Sequence, residues 1–498
     1  MFTASKYQSA IFSFVTDHTG NAVVEAVAGS GKTTTIVQAV NLIPNNKSIL
    51  MLAFNKNICE ELNSRINLPH CQVKTFHSLG YSAYRQVHGV VKMDDKKIYR
   101  LIDDLVQNSN LTDEERAGIQ YVAKIVKLGK SAGIATHILD NTPENWLNLM
   151  DHHDIGGFDD VDLAPVVPIC MEILRRSNNM TKLIDFDDMI YLPVQQGIKF
   201  QKFDWILCDE SQDCSATQRE ILKAIMKPAS RMIAVGDPFQ AIYGFRGADS
   251  TSMASIKSEF NAVSLPLSIS YRCPRSVVAE ARKYVSHIEA SDTAIEGTVT
   301  RLDKYTEKDF SPTDVIMCRN VAPLVRFAYG LIAHNIPVNM LGRDIGSGLV
   351  KLIKSFKASS IQDLETKLGQ WKDREMMKLS SGSNNEAKLN SVTDKFDCIE
   401  IFLDQATVGM TVNDLTERIS NFFSEEPNGN ITLATIHKVK GREYDKAIIL
   451  DPHRLMPKWA KKPWMVAQET NICYVAVTRA KKELVFLDSD SWSEKAAA

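Results

Sequence analysis

Two glycines, a serine, a lysine and a threonine are packed into Ala26-Val27-Ala28-Gly29-Ser30-Gly31-Lys32-Thr33, a composition suited to holding phosphate. Glycines let backbone N–H groups turn inward around phosphate oxygens, and a helix starting at the end of such a loop adds the positive end of its dipole. In this reading Ala28, Gly29, Ser30, Gly31 and Thr34 contribute to the cradle, Lys32 reaches the β- and γ-phosphates and Thr33 ligates Mg²⁺. Ala26 stands where the general pattern has its first glycine.

A second group sits at Trp205-Ile206-Leu207-Cys208-Asp209-Glu210, an apolar run ending in two carboxylates. A hard cation takes oxygen ligands, so Asp209 fits a Mg²⁺ partner. Glu210 beside it can polarise an attacking water. Taken alone, an Asp-Glu pair is more often a plain surface feature; beside a phosphate loop the balance reverses. Val235-Gly236-Asp237-Pro238-Phe239-Gln240 repeats the pattern of strand, turn and polar group, and Gln240 could sense a γ-phosphate. Arg272 and Arg479 could supply positive charge to a phosphoryl transition state, an effect typically worth ~10³–10⁵ in rate. Taken singly, each reads more readily as an ordinary surface ion pair.

These residues need elements to position them. Val23–Ala26, Ile49–Phe54, Trp205–Cys208 and Met232–Val235 read as strands of one α/β region, and Val315–Cys318 and Ala447–Leu450 as strands of another. Strands alternating with helices imply parallel sheets. Tyr81–Lys182 carries helical spacing with no clear strand, and Val350–Glu426 mixes helical patterns with the polar stretch Ser380–Asn385, expected as a flexible loop. The expected organisation is therefore a first α/β domain over 1–80 and 183–265 with a helical insertion at 81–182. A second covers 266–349 and 427–498, with a short insertion at 350–426. Lys124, Lys127 and Lys130, three apart along a helix, could touch nucleic acid but are expected first as a solvated basic face.

Composition sets the outer bounds. At roughly 100–200 residues per domain, 498 residues suggest three or four domains. A net charge of −2 is neutral on nucleic acid, because a basic groove can be local. Nine cysteines without a C-x-x-C pair argue against a disulfide scaffold or zinc ribbon and for a reducing compartment. Neither a signal peptide nor a membrane-length apolar run is evident, so a soluble cytoplasmic protein is expected, nucleoid-associated when bound to DNA.

The ordered series of motifs resembles superfamily 1 helicases of the UvrD/Rep type. It comprises Ser5–Gln8, Ala26–Thr33, Leu52–Lys56, Thr75–Ser78, Asp185–Asp188, Asp209–Asp213, Val235–Ala248, Ser270–Arg272, Ile436–Glu443 and Tyr474–Ala480. Val235–Ala248 and Val477-Thr478-Arg479-Ala480 are the most specific of these. The resemblance implies two RecA-like motor domains and ATP with Mg²⁺ as cofactors. It implies single-stranded DNA and single/double-strand junctions as partners, 3′-to-5′ movement and a plausible monomer, with accessory proteins possible. It implies that Gln8 bonds adenine and Tyr271 stacks on it, that Gln240, Arg272 and Arg479 contact the γ-phosphate region, and that Gly441 and Glu443 close over the nucleotide. On the DNA path it implies Phe54, Asn55, Lys56, Thr75, His77, Tyr243, Phe245, Arg246 and His437. Phe54 reads equally as a core aromatic. Phe245 stands where the family usually has tryptophan, and the Phe54-Asn55-Lys56 segment is one residue shorter than the common form. The second insertion is short and the chain stops soon after Arg479, so neither a nuclease domain nor an extended C-terminal module is expected. Two activities stay open: a strand-separating motor, and a DNA-stimulated ATPase switch within a larger repair or defence complex. The presence of Lys32, Thr33, Asp209, Glu210, Gln240, Arg272 and Arg479 argues against an inactive scaffold.

Overall fold

The computed structural model describes residues 3–153, 155, 162–242, 251–380, 386–424 and 430–490. The chain divides into two compact units, Met1–Ser268 and Ile269–Ala498.

The first unit is built on six strands: β1 (Ala22–Ala26), β2 (Ile49–Ala53), β3 (Cys71–Thr75), β4 (Phe203–Cys208), β5 (Met226–Gly236) and β6 (Val263–Leu267). They lie in the order β3-β2-β4-β5-β1-β6, every pair parallel. Ile49-Leu50-Met51-Leu52-Ala53 is apolar and buried at every position, as a strand covered on both faces must be. Alternation sends neighbours to opposite sides. Val23, Leu50, Leu52 and Ile206 pack with Phe76, Leu79 and Ile190 on one face; Val24, Met51 and Leu207 pack with Ile11, Ile36 and Leu62 on the other.

Between helix Phe76–His88 and the strand Leu183–Ile184 lie helices Lys97–Asn108, Asp113–Ala132, Pro143–His152 and Val167–Asn179. They share a core with Trp146 fully buried. The expectation of no strand over Tyr81–Lys182 needs one correction: Lys92–Met93 pairs in parallel with Leu183–Ile184. Two residues are too few to leave a period-2 signature. The solvated basic face is corrected too. Lys124 is exposed, but Lys130 is 1% exposed and ion-paired to Asp185 and Asp188.

Beside the short parallel pair Ile269–Ser270 and Glu289–Ala290, the second unit carries a main sheet of seven strands: β7 (Thr298–Leu302), β8 (Val315–Cys318), β9 (Val338–Leu341), β10 (Phe423–Ser424), β11 (Ile431–Thr435), β12 (Tyr444–Leu450) and β13 (Ala480–Leu487). Their order is β7-β13-β12-β8-β11-β9-β10, again with every pair parallel. Both sheets are thus of the parallel, helix-flanked kind that two RecA-like domains require. Helix Arg343–Ser355 runs straight across position 350, and β10 extends the sheet by pairing with β9. Leu364, Leu368, Phe402, Leu415 and Ile419 lie in one apolar cluster with the sheet residues Ile316, Leu433 and Ile448. The helices between 350 and 426 are therefore built into the core of this unit. Ser380 ends helix Ile361–Ser380, while the remainder of the Ser380–Asn385 loop, 381–385, lies outside the described residues.

Candidate active site

The phosphate-loop sequence leaves the end of β1. Gly29 and Gly31 hold φ of +72° and +76°, left-handed values that glycine adopts without a Cβ penalty. Val27 N–H donates to Leu267 O (3.0 Å) and Ser30 N–H to Val27 O (3.2 Å), which turns the loop back on itself. Helix Lys32–Asn41 then starts at Gly31 without a side-chain cap, so its first-turn N–H groups suit an anion. Ser30 is 1% exposed, and its Oγ has no partner among the described residues. A buried orphan hydroxyl in a left-handed glycine turn is what a phosphate oxygen would satisfy.

The polar groups expected to surround a phosphate converge here from β1, β4 and β5. Lys32 Nζ lies 3.2 Å from Glu210 Oε1. Burial draws the Lys32 ammonium down, but Glu210, then Asp237 and Asp209, outweigh it and its pKa rises overall. Burial first, then the Glu210 charge, pushes Asp209 up to about 7 against the pull of Lys32. Burial pushes Asp237 up to about 6, opposed by Lys32 and by the Gln240 side chain. Gln240 Nε2 donates to Asp237 Oδ2 (2.7 Å). Glu210 has φ +51°, a left-handed conformation costing of order 1–3 kcal/mol in a residue with a Cβ. That strain sits at the carboxylate that faces Lys32.

One participant carried no individual role in the sequence. Gln212 accepts from Asp237 N–H through Oε1 (3.0 Å) and donates through Nε2 to Glu210. It ties the β4 and β5 carboxylates together. Gln8 is 2% exposed; its Oε1 caps Ser5 N–H (3.0 Å), and its Nε2 donates to Thr35 Oγ1 (3.0 Å), which donates to Gly31 O (2.9 Å). Gln8 is thereby wired to the loop. Thr34 Oγ1 accepts from Arg65 (3.2 Å), Ala28 is buried and Thr33 is half-buried at the helix start. The Thr33 hydroxyl and the Asp209 carboxylate are both hard oxygen donors. Asp209 is buried beside Lys32, and both oxygens are of the kind Mg²⁺ takes.

In the second unit Tyr271 is 48% exposed. Arg272 pairs with Glu443, and its buried Nε has no partner among the described residues. Arg479 is fully buried: Nε donates to Val475 O (2.8 Å), Nη1 to Arg442 O (2.9 Å) and Nη2 to Thr478 Oγ1 (3.1 Å). Burial, then the neighbouring Arg272 charge, lowers it to about 10. Arg272, Glu443 and Arg479 are thus brought together. Gly441 makes a left-handed turn nearby in sequence at φ +84°.

Of the residues expected on nucleic acid, Phe54, Asn55, Lys56, Thr75 and His77 lie further along the same edge of the first sheet, where β2 and β3 end. Phe54 is 42% exposed, which settles it as a surface ring. Asn55 caps helix Lys56–Arg65 through Oδ1 to Ile58 N–H (2.9 Å), and Lys56 is exposed beside Glu60 (3.5 Å). Thr75 caps helix Phe76–His88. His77 stacks on Phe186 with ring centroids 3.8 Å apart. Phe186 is 53% exposed and received no role of its own in the sequence. An aromatic within an acidic run was the available sign. His437 is half-buried in the turn Ile436–Val439 after β11, next to Lys438, which pairs with Asp344 (2.7 Å). Tyr243, Phe245 and Arg246 lie outside the described residues.

No helix among the described residues is long and apolar enough to cross a membrane. A family model described as the UvrD/REP helicase N-terminal domain matches residues 8–261, and one described as the UvrD-like helicase C-terminal domain matches 430–487. The F-box DNA helicase protein 1 of Schizosaccharomyces pombe is 25% identical over 514 residues, 94% of this chain and 55% of that protein. The ATP-dependent DNA helicase Rep of Buchnera aphidicola is 26% identical over 290 residues, 54% of this chain and 42% of that protein. DNA helicase II of Rickettsia typhi is 21% identical over 614 residues, 95% of this chain and 90% of that protein. The chain thus spans about half the length of the first two relatives and most of the third. With more than half of its residues under the N-terminal family model, and the C-terminal model matching in order behind it, the chain belongs to the UvrD/REP helicase family.

Proposed function

We propose that this chain is an ATP-dependent DNA helicase that moves on single-stranded DNA, 3′ to 5′, and couples hydrolysis between two motor domains to strand separation. The observation that carries this is the convergence of Lys32, Asp209, Glu210, Asp237 and Gln240 around a left-handed glycine turn, with exposed Phe54 and the His77–Phe186 stack on the same sheet edge. In open parallel sheets ligands gather at the carboxyl ends of the strands.

In this reading Lys32, the Gly29–Gly31 backbone, Ser30 and Thr34 hold the phosphates, and Gln8 and Tyr271 take the adenine. Thr33 and Asp209 hold Mg²⁺, which supplies charge neutralisation on the phosphates. Glu210 orients the water and accepts its proton. Gln240, Arg272 and Arg479 answer to the γ-phosphate, with Gly441 and Glu443 closing on the nucleotide. Making the second domain's arginines necessary for turnover converts chemistry into domain movement. Phe54, Phe186, Tyr243 and Phe245 offer base-stacking faces, while Asn55, Lys56, Thr75, His77, Arg246 and His437 contact the strand. The segments 1–80 with 183–265 and 266–349 with 427–498 form the motors, and 81–182 and 350–426 their insertions. The protein works in the cytoplasm, on single strands and junctions, as a monomer open to accessory partners.

A second reading is a DNA-stimulated ATPase switch with little unwinding. It is favoured by the packing of Leu364, Phe402 and Leu415 into the second unit's own core, which commits those helices to internal contacts. Duplexes with 3′ or 5′ single-stranded tails, given ATP and Mg²⁺, separate the two. Unwinding from the 3′ tail alone supports the helicase. DNA-stimulated hydrolysis without unwinding supports the switch, and unwinding from the 5′ tail overturns the polarity.

A further inference from the structure

The least conspicuous charges of the first unit lie beneath its exposed Phe186. Asp185 and Asp188 lock each other into a turn: Asp188 N–H donates to Asp185 Oδ1 (2.8 Å), and Asp185 N–H to Asp188 Oδ2 (3.0 Å). Two lysines from separate helices of the insertion clamp that turn. Lys97 Nζ meets Asp188 Oδ2 at 2.7 Å and also donates to Ser177 O (2.8 Å). Lys130 Nζ meets Asp185 Oδ2 and Asp188 Oδ1, both at 2.7 Å. Lys97 and Lys130 are each 1% exposed and Asp188 is fully buried.

Buried ion pairs of this kind contribute little net stability, because desolvation offsets the attraction; apolar residues of similar volume often serve as well. What such a buried network supplies is a fixed arrangement of the segments it joins. Here that arrangement carries Phe186, the one exposed residue of Asp185–Asp188, beside a half-buried Asp187. Its companion is brought in by a different device. A Cβ on Gly80 would sit 2.1 Å from Met189 O, so only glycine lets helix Phe76–His88 lie this close to the Asp188–Gln195 helix and bring His77 against Phe186.

We infer that Lys97 and Lys130 are positioning residues through which the helical insertion sets the base-stacking platform formed by Phe186 and His77. This rests on the reading that a single strand crosses this end of the first sheet. An exposed ring held only by its own neighbour would sample other rotamers; clamping its backbone on both sides presents one face to a base. The expected ligand contact is a stacked nucleobase, with no demand on its identity.

The test compares binding of an oligodeoxythymidylate with an abasic sugar-phosphate oligomer of equal length, by anisotropy, on the full chain. The intact protein should prefer the base-bearing strand. Phe186→Ala should reduce that preference by about five-fold or more, the scale of one lost stacking contact. Lys97→Met should reduce it similarly while leaving abasic binding near wild type, and Lys97→Met with Phe186→Ala should be no worse than Phe186→Ala alone. Asp188→Asn, nearly isosteric, should repeat the Lys97→Met result. Equal weakening on both oligomers in Lys97→Met, or effects that multiply in the double variant, overturns the inference. So does a preference that survives in Lys97→Met and Asp188→Asn but is lost in Phe186→Ala. If Phe186→Ala keeps the preference, the single-strand reading fails at this face and the inference fails with it. Should neither cluster variant fold, the cluster is a folding element and the inference is overturned.

Discussion

Lys32 and Glu210 face each other across the phosphate loop, Nζ to Oε1 3.2 Å, so the cation suited to a phosphate and the carboxylate suited to a water are held by one another. An anion bound at Lys32 would compete with Glu210 for the ammonium.

Replacing either partner should separate binding from chemistry. Lys32→Ala should abolish ATP turnover while single-strand binding survives. Glu210→Gln should keep nucleotide affinity and lower kcat by roughly 10²–10⁴, the usual worth of a positioned base. Steady-state hydrolysis and fluorescent-nucleotide titration read both. Turnover near wild type in Lys32→Ala would remove the phosphate-loop assignment.

The two arginines should differ in their cost to stability. Arg272→Ala should lower kcat by ~10³ or more with a small change in melting temperature, because its ion-pair partner Glu443 is 42% exposed. Arg479→Ala should lower kcat to a similar extent and also destabilise the fold by about 1–3 kcal/mol. It strips hydrogen bonds from Val475 O and Arg442 O inside the second unit. Thermal unfolding beside kinetics distinguishes them, and equal melting losses would contradict the burial argument.

Salt dependence should sort the candidate strand contacts. Lys56→Ala should reduce the slope of log K against log[salt] by about 0.7, one single-strand phosphate contact. His77→Phe should leave that slope unchanged at pH 7, because burial lowers His77 to about 4 and keeps it neutral. The sign for stability follows. With a folded value below the ordinary 6.5, the unfolded chain takes the proton first. Stability from neutral His77 is full above pH 6.5 and lost as pH falls toward 4, so His77→Phe should flatten that acid-side decline. A slope change in His77→Phe would show a charged histidine on the strand.

Gly80→Ala should destabilise the first unit by about 1–3 kcal/mol, since the new Cβ would lie 2.1 Å from Met189 O and one helix must shift. Thermal unfolding measures it. The same shift should separate His77 from Phe186, so single-strand binding should weaken along with stability. An alanine tolerated without change would mean the helices are not held at that distance.

The sequence by itself marked several of the buried strands and the glycine-rich loop with its lysine. Ile49–Ala53 and Val315–Cys318 are apolar at every position and short, as strands buried on both faces are. Gly29, Gly31 and Lys32 lie within four residues of one another, so their loop is a local matter of backbone freedom and charge. The tertiary structure decided what depends on partners distant along the chain. Lys124 and Lys130 share a helix and a three-residue spacing pattern, yet one is exposed and the other buried, because only Lys130 meets Asp185 and Asp188. Gln212 joins Glu210 to Asp237 only because β4 and β5 are neighbours in the sheet. Phe186 becomes a platform only because Gly80 admits His77 beside it. Local periodicity reports which way a side chain points along its own helix or strand; it carries no record of which distant charge or ring will be waiting there.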